Sequence, residues 1–152
     1  MKSPVPIAII LLGSCACCAA DDLAVVVNKS VSLDTLSASD VRVMILGEKQ
    51  KWPDGKTVIP VEGPPESPER TMQLKTVNKM TDAALKRYYM LAAFNGKDTA
   101  PPKDFASAAA LKLFVASNPG AIGCIFASEV DASVKVLKVD GIAPGDPAYK
   151  LR

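Results

Sequence analysis

The chain has 152 residues, with 18 Lys and Arg against 16 Asp and Glu and no histidine. A formal charge of +2, thinly spread and mixed with acids, supplies no concentrated basic surface, which argues against a nucleic-acid partner. Without histidine the chain lacks the commonest general base and metal ligand near neutral pH, so the usual histidine-dependent hydrolase and metal-centre arrangements are excluded.

From the N-terminus, Lys2 is followed by an apolar run at residues 5 to 12 and then by GSCACCAA. This is the charge, core and small-residue order of a secretory leader, with cleavage expected after Ala20. The run is shorter than the ~20 residues a membrane-spanning helix needs. Leu12-Gly13-Ser14-Cys15 also resembles a bacterial lipobox, which makes Cys15 a candidate lipidation site and implies membrane association only through such an anchor. Simple cleavage and lipidation both remain open here, beside a cytoplasmic protein with a buried first strand. The expected location is the periplasm or another extracytoplasmic space. Without residues 1–20 the balance is 17 basic against 16 acidic residues, and Cys124 is the one cysteine left. No disulfide framework then exists, and Cys124, inside an apolar run, reads as a buried inert thiol.

Residues 23 to 28, LAVVVN, read as a strand buried on both faces. Residues 33 to 47 read as a helix, with Ser37 and Asp40 at capping-box spacing, Val41, Met44 and Ile45 at core spacing, and Gly47 as the stop. Pro53-Asp54-Gly55 is turn chemistry, residues 57 to 61 a second strand, and Gly63-Pro64-Pro65 a breaker. Ser67-Pro68 opens a helix expected to run to about Met80, and Thr81 caps a further one over residues 82 to 93. An irregular connection through Asn95-Gly96 leads to a Ser107-capped helix that ends at Asn118-Pro119-Gly120. Residues 121 to 126 and 134 to 139 are the last two strands, and the tail from residue 142 has no periodicity and reads as loose. The expected organisation is a leader at 1–20, one α/β domain at 21–141 and a tail at 142–152. Its architecture is a three-layer α/β lobe around a mostly parallel or mixed sheet of about four strands.

Chemically, no G-x-S-x-G elbow and no Rossmann or Walker glycine pattern occurs. Glu66 and Glu69 flank a helix start, where acids are favoured without performing chemistry. The reading is therefore non-enzymatic, without cofactor or metal. The ligand-binding candidates are the Ser67 hydroxyl, the Glu69 backbone amide and the Arg70 guanidinium, all able to donate to an oxyanion. The bland alternative is that Ser67 only caps its helix and that Arg70 pairs with Glu66 or solvent. Trp52, the one tryptophan, and Tyr89, the inward member of Tyr88-Tyr89, are placed as residues that shape or support this site.

The order LAVVVNKS at 23 to 30, ILGEKQKWPDG at 45 to 55, TVIPV at 57 to 61, SPER at 67 to 70, LKRYYMLAAFNGKDTAPP at 85 to 102 and VASNPGAIGCIFASEV at 115 to 130, then VKVLKVDG at 134 to 141, resembles the phosphate-binding proteins of ABC importers, mainly their second lobe. The resemblance implies a periplasmic-binding-protein-like lobe that binds phosphate or a related oxyanion without covalent chemistry, in phosphate transport with a membrane permease. It also implies that a second lobe or a second copy completes the enclosure. Where the relatives resemble R-x-x-x-S-G-T, Ser67 falls on the serine, while Gly63, Pro68 and Glu69 replace arginine, glycine and threonine. Pro68 removes an amide donor, Glu69 adds a negative charge, and Arg70 offers a guanidinium from within the helix. A protein-interaction module that keeps the lobe fold without ligand binding is the competing reading.

Overall fold

The computed structural model describes residues 21–152; the expected leader at 1–20, with its expected cleavage after Ala20 and the candidate lipidation site Cys15, lies outside the described residues. Six strands form one mixed sheet: β1 (Leu23–Val27), β2 (Thr35–Leu36), β3 (Ile59–Glu62), β4 (Lys103–Asp104), β5 (Ala121–Phe126) and β6 (Lys135–Val139), in the order β2-β6-β1-β5-β3-β4. β1 runs antiparallel to both neighbours, with Val25 opposite Cys124 and Leu137. The pairs β3–β5, β3–β4 and β2–β6 are parallel.

Every residue of β1 is buried because the period of two sends its side chains to two separate cores. Leu23, Val25 and Val27 join Val41, Met44 and Ile45 of α1 (Ala38–Ile45), whereas Ala24 and Val26 join Leu111 and Val115 of α4 (Ala108–Ser117). Helices on both faces of the sheet give the three layers. Cys124 is buried in the first of these cores, and burial pushes its thiol up to about 12.

The sheet is wider than the four strands expected, because two residues at each edge join it. Thr35 and Leu36 pair with Lys138 and Val139, so the expected helix over residues 33 to 47 starts only at Ala38. There the Asp40 amide donates to Ser37 Oγ at 3.0 Å and Asp140 Oδ1 accepts from the Ala38 amide at 3.1 Å. Gly47 ends this segment at φ 75°, where a Cβ would lie 2.4 Å from the Ala100 carbonyl oxygen; only glycine fits that approach.

The helix expected from Ser67 to Met80 is divided. α2 (Pro68–Gln73) passes into a π-helical turn, Leu74–Asn78, which ends at Lys79 in the left-handed region. Within it the Thr76 hydroxyl donates to the Met72 carbonyl at 2.8 Å, a back-bond of the kind that bends helices. α3 (Asp82–Phe94) follows Thr81 as expected.

The tail is docked rather than loose. Tyr149 and Leu151 are buried, the Tyr149 hydroxyl donates to the Leu23 carbonyl at 2.7 Å, and the Leu23 amide donates to the Leu151 carbonyl at 2.9 Å. Arg152 Nε donates to Asp22 at 2.8 Å. These are pairings between chain ends more than 120 residues apart, which a local search for periodicity does not see. No helix among the described residues is long and apolar enough to cross a membrane.

Candidate functional site

β3 ends at Glu62, and the parallel register with β4 sets Asp104 beside it. Two carboxylates at neighbouring positions repel, and Glu62 is only 2% exposed, so a cation has to enter. Gly63-Pro64-Pro65 reverses the chain, Ser67 caps α2, and Arg70 on the first turn points back over the strand ends. Its Nη1 pairs with Glu62 Oε2 and lies 2.9 Å from Asp104 Oδ1, while Nη2 is 4.0 Å from Asp82 Oδ1. From the next turn Gln73 Nε2 donates to Glu62 Oε1 at 3.1 Å. Burial raises the Glu62 carboxyl above its ordinary 4.5; Arg70 opposes that shift and Asp104 adds to it. At the start of α3, the hydrogen bond from Lys86 holds Asp82 below the usual carboxylate range.

Arg70 lies on the wall of an open cleft of about 920 Å³ between α2, the π-helical turn and the start of α3. Lys75, Lys79 and Lys86 contribute further cations to it, Glu66, Asp82 and Asp104 contribute anions, and Leu74, Met80 and Pro65 give it apolar surface. Both N–H groups of Nη1 are taken by carboxylates. Those of Nη2 and Nε have no hydrogen bond within 3.5 Å among the described residues. The carboxylates thus fix the guanidinium plane and leave part of its fork available.

The sequence-derived candidates separate here. Ser67 Oγ accepts from the Arg70 amide at 3.2 Å, so that amide is spent on the cap, and neither Ser67 nor Glu69 lines the cleft. The Glu69 side chain meets Glu129, whose carboxyl is raised by burial and then by Glu69. Trp52 is 3% exposed in the larger core, with Nε1 donating to the Gly120 carbonyl at 2.9 Å. Tyr89 turns inward, its hydroxyl 3.4 Å from the Leu46 carbonyl oxygen, and burial followed by the nearby Glu62 charge pushes its phenol upward. Tyr88 instead donates to Glu48 at 2.5 Å. Sequence reading missed Glu62, Gln73, Asp82 and Asp104. A glutamate closing an apolar strand was the visible signal for Glu62, but the role of Asp104 exists only through strand register. Among the described residues no group of three or more acids and cysteines is placed to hold a metal ion.

No family model matches the chain, but solved structures do match its fold. It superposes on a Clostridium perfringens protein assigned to phosphate ABC transporter substrate-binding proteins and solved with bound phosphate, at TM-score 0.66 and 23% identity. It also superposes on PstS of Borrelia burgdorferi (0.65, 14%) and on an ABC-type phosphate transport receptor of Vibrio cholerae (0.58, 22%). The chain shares their fold. Each match covers 82% of this chain but only 47%, 49% and 48% of the respective structure, so the chain spans about half the length of these receptors.

Proposed function

We propose that the protein is an extracytoplasmic solute-binding lobe, exported by residues 1–20, that holds phosphate or a related oxyanion without covalent chemistry. It would serve ABC-type phosphate import beside a membrane permease, with a second lobe or a second copy completing the enclosure. The observation that carries this reading is Arg70: pinned through Nη1 by Glu62 and Asp104, it lines the cleft with Nη2 and Nε outside any hydrogen bond among the described residues. In this reading Ser67 positions Arg70 through the cap, Tyr89 supports the site beside Glu62, and Trp52 supports the core through Gly120. The Glu69 amide, on a residue outside the cleft lining, is not counted among the donors. The local charge is nearly balanced and one wall cannot desolvate an ion from both sides, so weak binding is expected from the lobe alone.

Titration calorimetry with phosphate, using sulfate as competitor, tests this. Saturable binding is expected, and it should be lost in the Glu62→Gln/Arg70→Ala double variant, which removes the guanidinium together with its buried counter-charge. Unchanged affinity in that variant removes Arg70 from the site.

One observation favours the interaction-module reading. The outward face of α3 exposes Met90 at 65%, Leu91 at 45% and Phe94 at 88%, a cluster of large apolar side chains at helical spacing left uncovered by the described residues. Under this reading the sedimentation coefficient rises with concentration, the rise disappears in Met90→Ser/Phe94→Ser, and phosphate has no effect on either. A concentration-independent monomer argues against self-association through α3.

A further inference from the structure

A bare oxyanion is small beside a cleft of about 920 Å³, a size in the range that encloses organic ligands. The helical wall that continues from α2 is also irregular. Leu74–Asn78 is a π-helical turn, a form that recurs at functional sites because it inserts a residue at a cost in hydrogen-bond geometry. Of the three non-glycine residues with positive φ among the described residues, Glu66 at 65° and Lys79 at 54° both line this cleft. Such backbone is held only where its surroundings impose it. The last residue of the turn, Asn78, is fully buried with neither side-chain amide atom hydrogen-bonded among the described residues, a further departure from the ordinary polar accounting of an interior. The π-helical turn, Asn78 and Lys79 are consecutive on the segment that carries both lysines, Lys75 and Lys79, whereas Glu66 lies before α2, at the other end of that helix in sequence.

These two lysines form no ion pair among the described residues, although both line the cleft with Arg70. Lys75 lies five residues beyond Arg70, roughly 8 Å along a helix axis. Arg70 pairs with Glu62 and Asp104 and Lys86 with Asp82, so Lys75, Lys79 and Glu66 are the charged cleft residues outside any ion pair among the described residues, two cations against one anion. Leu74 and Met80 supply apolar surface in the same cleft.

Resting on the proposal that Arg70 binds an oxyanion, we propose that the ligand is a small organic molecule with two acidic groups, one of them a phosphate. Arg70 takes one acidic group, Lys75 and Lys79 take the other, and the carbon segment between them lies against Leu74 and Met80. Phosphorylated carboxylic acids are the chemical class that fits.

Three probes separate the possibilities on the purified full chain by calorimetry: inorganic phosphate, glycerol 3-phosphate and 3-phosphoglycerate, the last two differing mainly by a carboxylate. The expected result is 3-phosphoglycerate at least about tenfold tighter than the other two, the effect of an added charge-assisted contact. In Lys75→Ala/Lys79→Ala that preference falls toward unity while the circular dichroism spectrum is retained. Arg70-dependent phosphate binding with equal affinities for all three probes overturns this inference and leaves the proposed function standing. A preference that survives the double lysine substitution overturns the lysine assignment, and no binding of any probe to folded protein overturns both proposals.

Discussion

Arg70→Ala alone is expected to destabilise the fold by about 3 kcal/mol at neutral pH, the lower end of the cost of stranding a buried charge. From sequence, Arg70 reads as an oxyanion donor or as a partner of Glu66 or solvent, neither of which ties it to the fold. In the structure, Arg70 is the cation between a 2%-exposed Glu62 and Asp104, and its removal leaves two carboxylates facing each other. Glu62 is already raised above 4.5 by burial, with Arg70 as the main opposing influence; without Arg70 it rises further. A carboxyl whose folded pKa exceeds its unfolded value contributes stability that is complete below the unfolded value and lost as pH rises through the folded one. The deficit of the variant is therefore smallest near pH 4.5 and widens toward neutrality. Adding Glu62→Gln recovers much of it, because the amide needs no counter-charge and Gln73 remains within reach. Urea unfolding of the three proteins at pH 4.5 and 7 tests this, and a pH-independent deficit that Glu62→Gln fails to relieve defeats the argument.

Trp52→Ala is expected to cost about 3–5 kcal/mol, the range for removing a large buried aromatic. The indole is 3% exposed, belongs to the same core as Val58 and donates to the Gly120 carbonyl. That carbonyl also accepts from the Ile59 amide at 3.0 Å, so Trp52→Phe, which keeps most of the volume, should cost only about 1 kcal/mol for the lost indole hydrogen bond. Far-ultraviolet circular dichroism during urea unfolding gives both values, since the variants lack the intrinsic tryptophan signal. Equal costs for Phe and Ala would mean that the hydrogen bond, not packing, dominates. Trp52 does not line the cleft, so any effect of Trp52→Phe on ligand affinity acts through the loop it anchors.

Much of the architecture was legible locally. The runs at residues 23 to 27, 121 to 126 and 135 to 139 are strands, and Ser37, Ser67, Thr81 and Ser107 each accept the amide of the residue three positions on. Both properties depend on neighbouring residues: a buried strand requires continuous apolar character, and a cap requires a short polar side chain at one backbone position. The two-residue strands failed to show because so short a segment has no period; Thr35–Leu36 and Lys103–Asp104 are strands only because a partner lies alongside.

The site divides along the same line. Arg70 and Ser67 could be selected from SPER as donors at a helix start, since residue type and capping rules suffice for that. Which groups Arg70 meets could not, because Glu62, Asp82 and Asp104 reach it through the reversal after β3, the start of α3 and the β3–β4 register. The buried strands, the helix caps and the donors available to a ligand are set by interactions over a few residues, which local sequence carries. Tertiary structure alone decided that the arginine is held by carboxylates, that a π-helical turn brings Lys75 and Lys79 to the cleft, and that the tail closes over β1. Those outcomes depend on burial and charge balance between segments distant in the chain, and no local pattern encodes them.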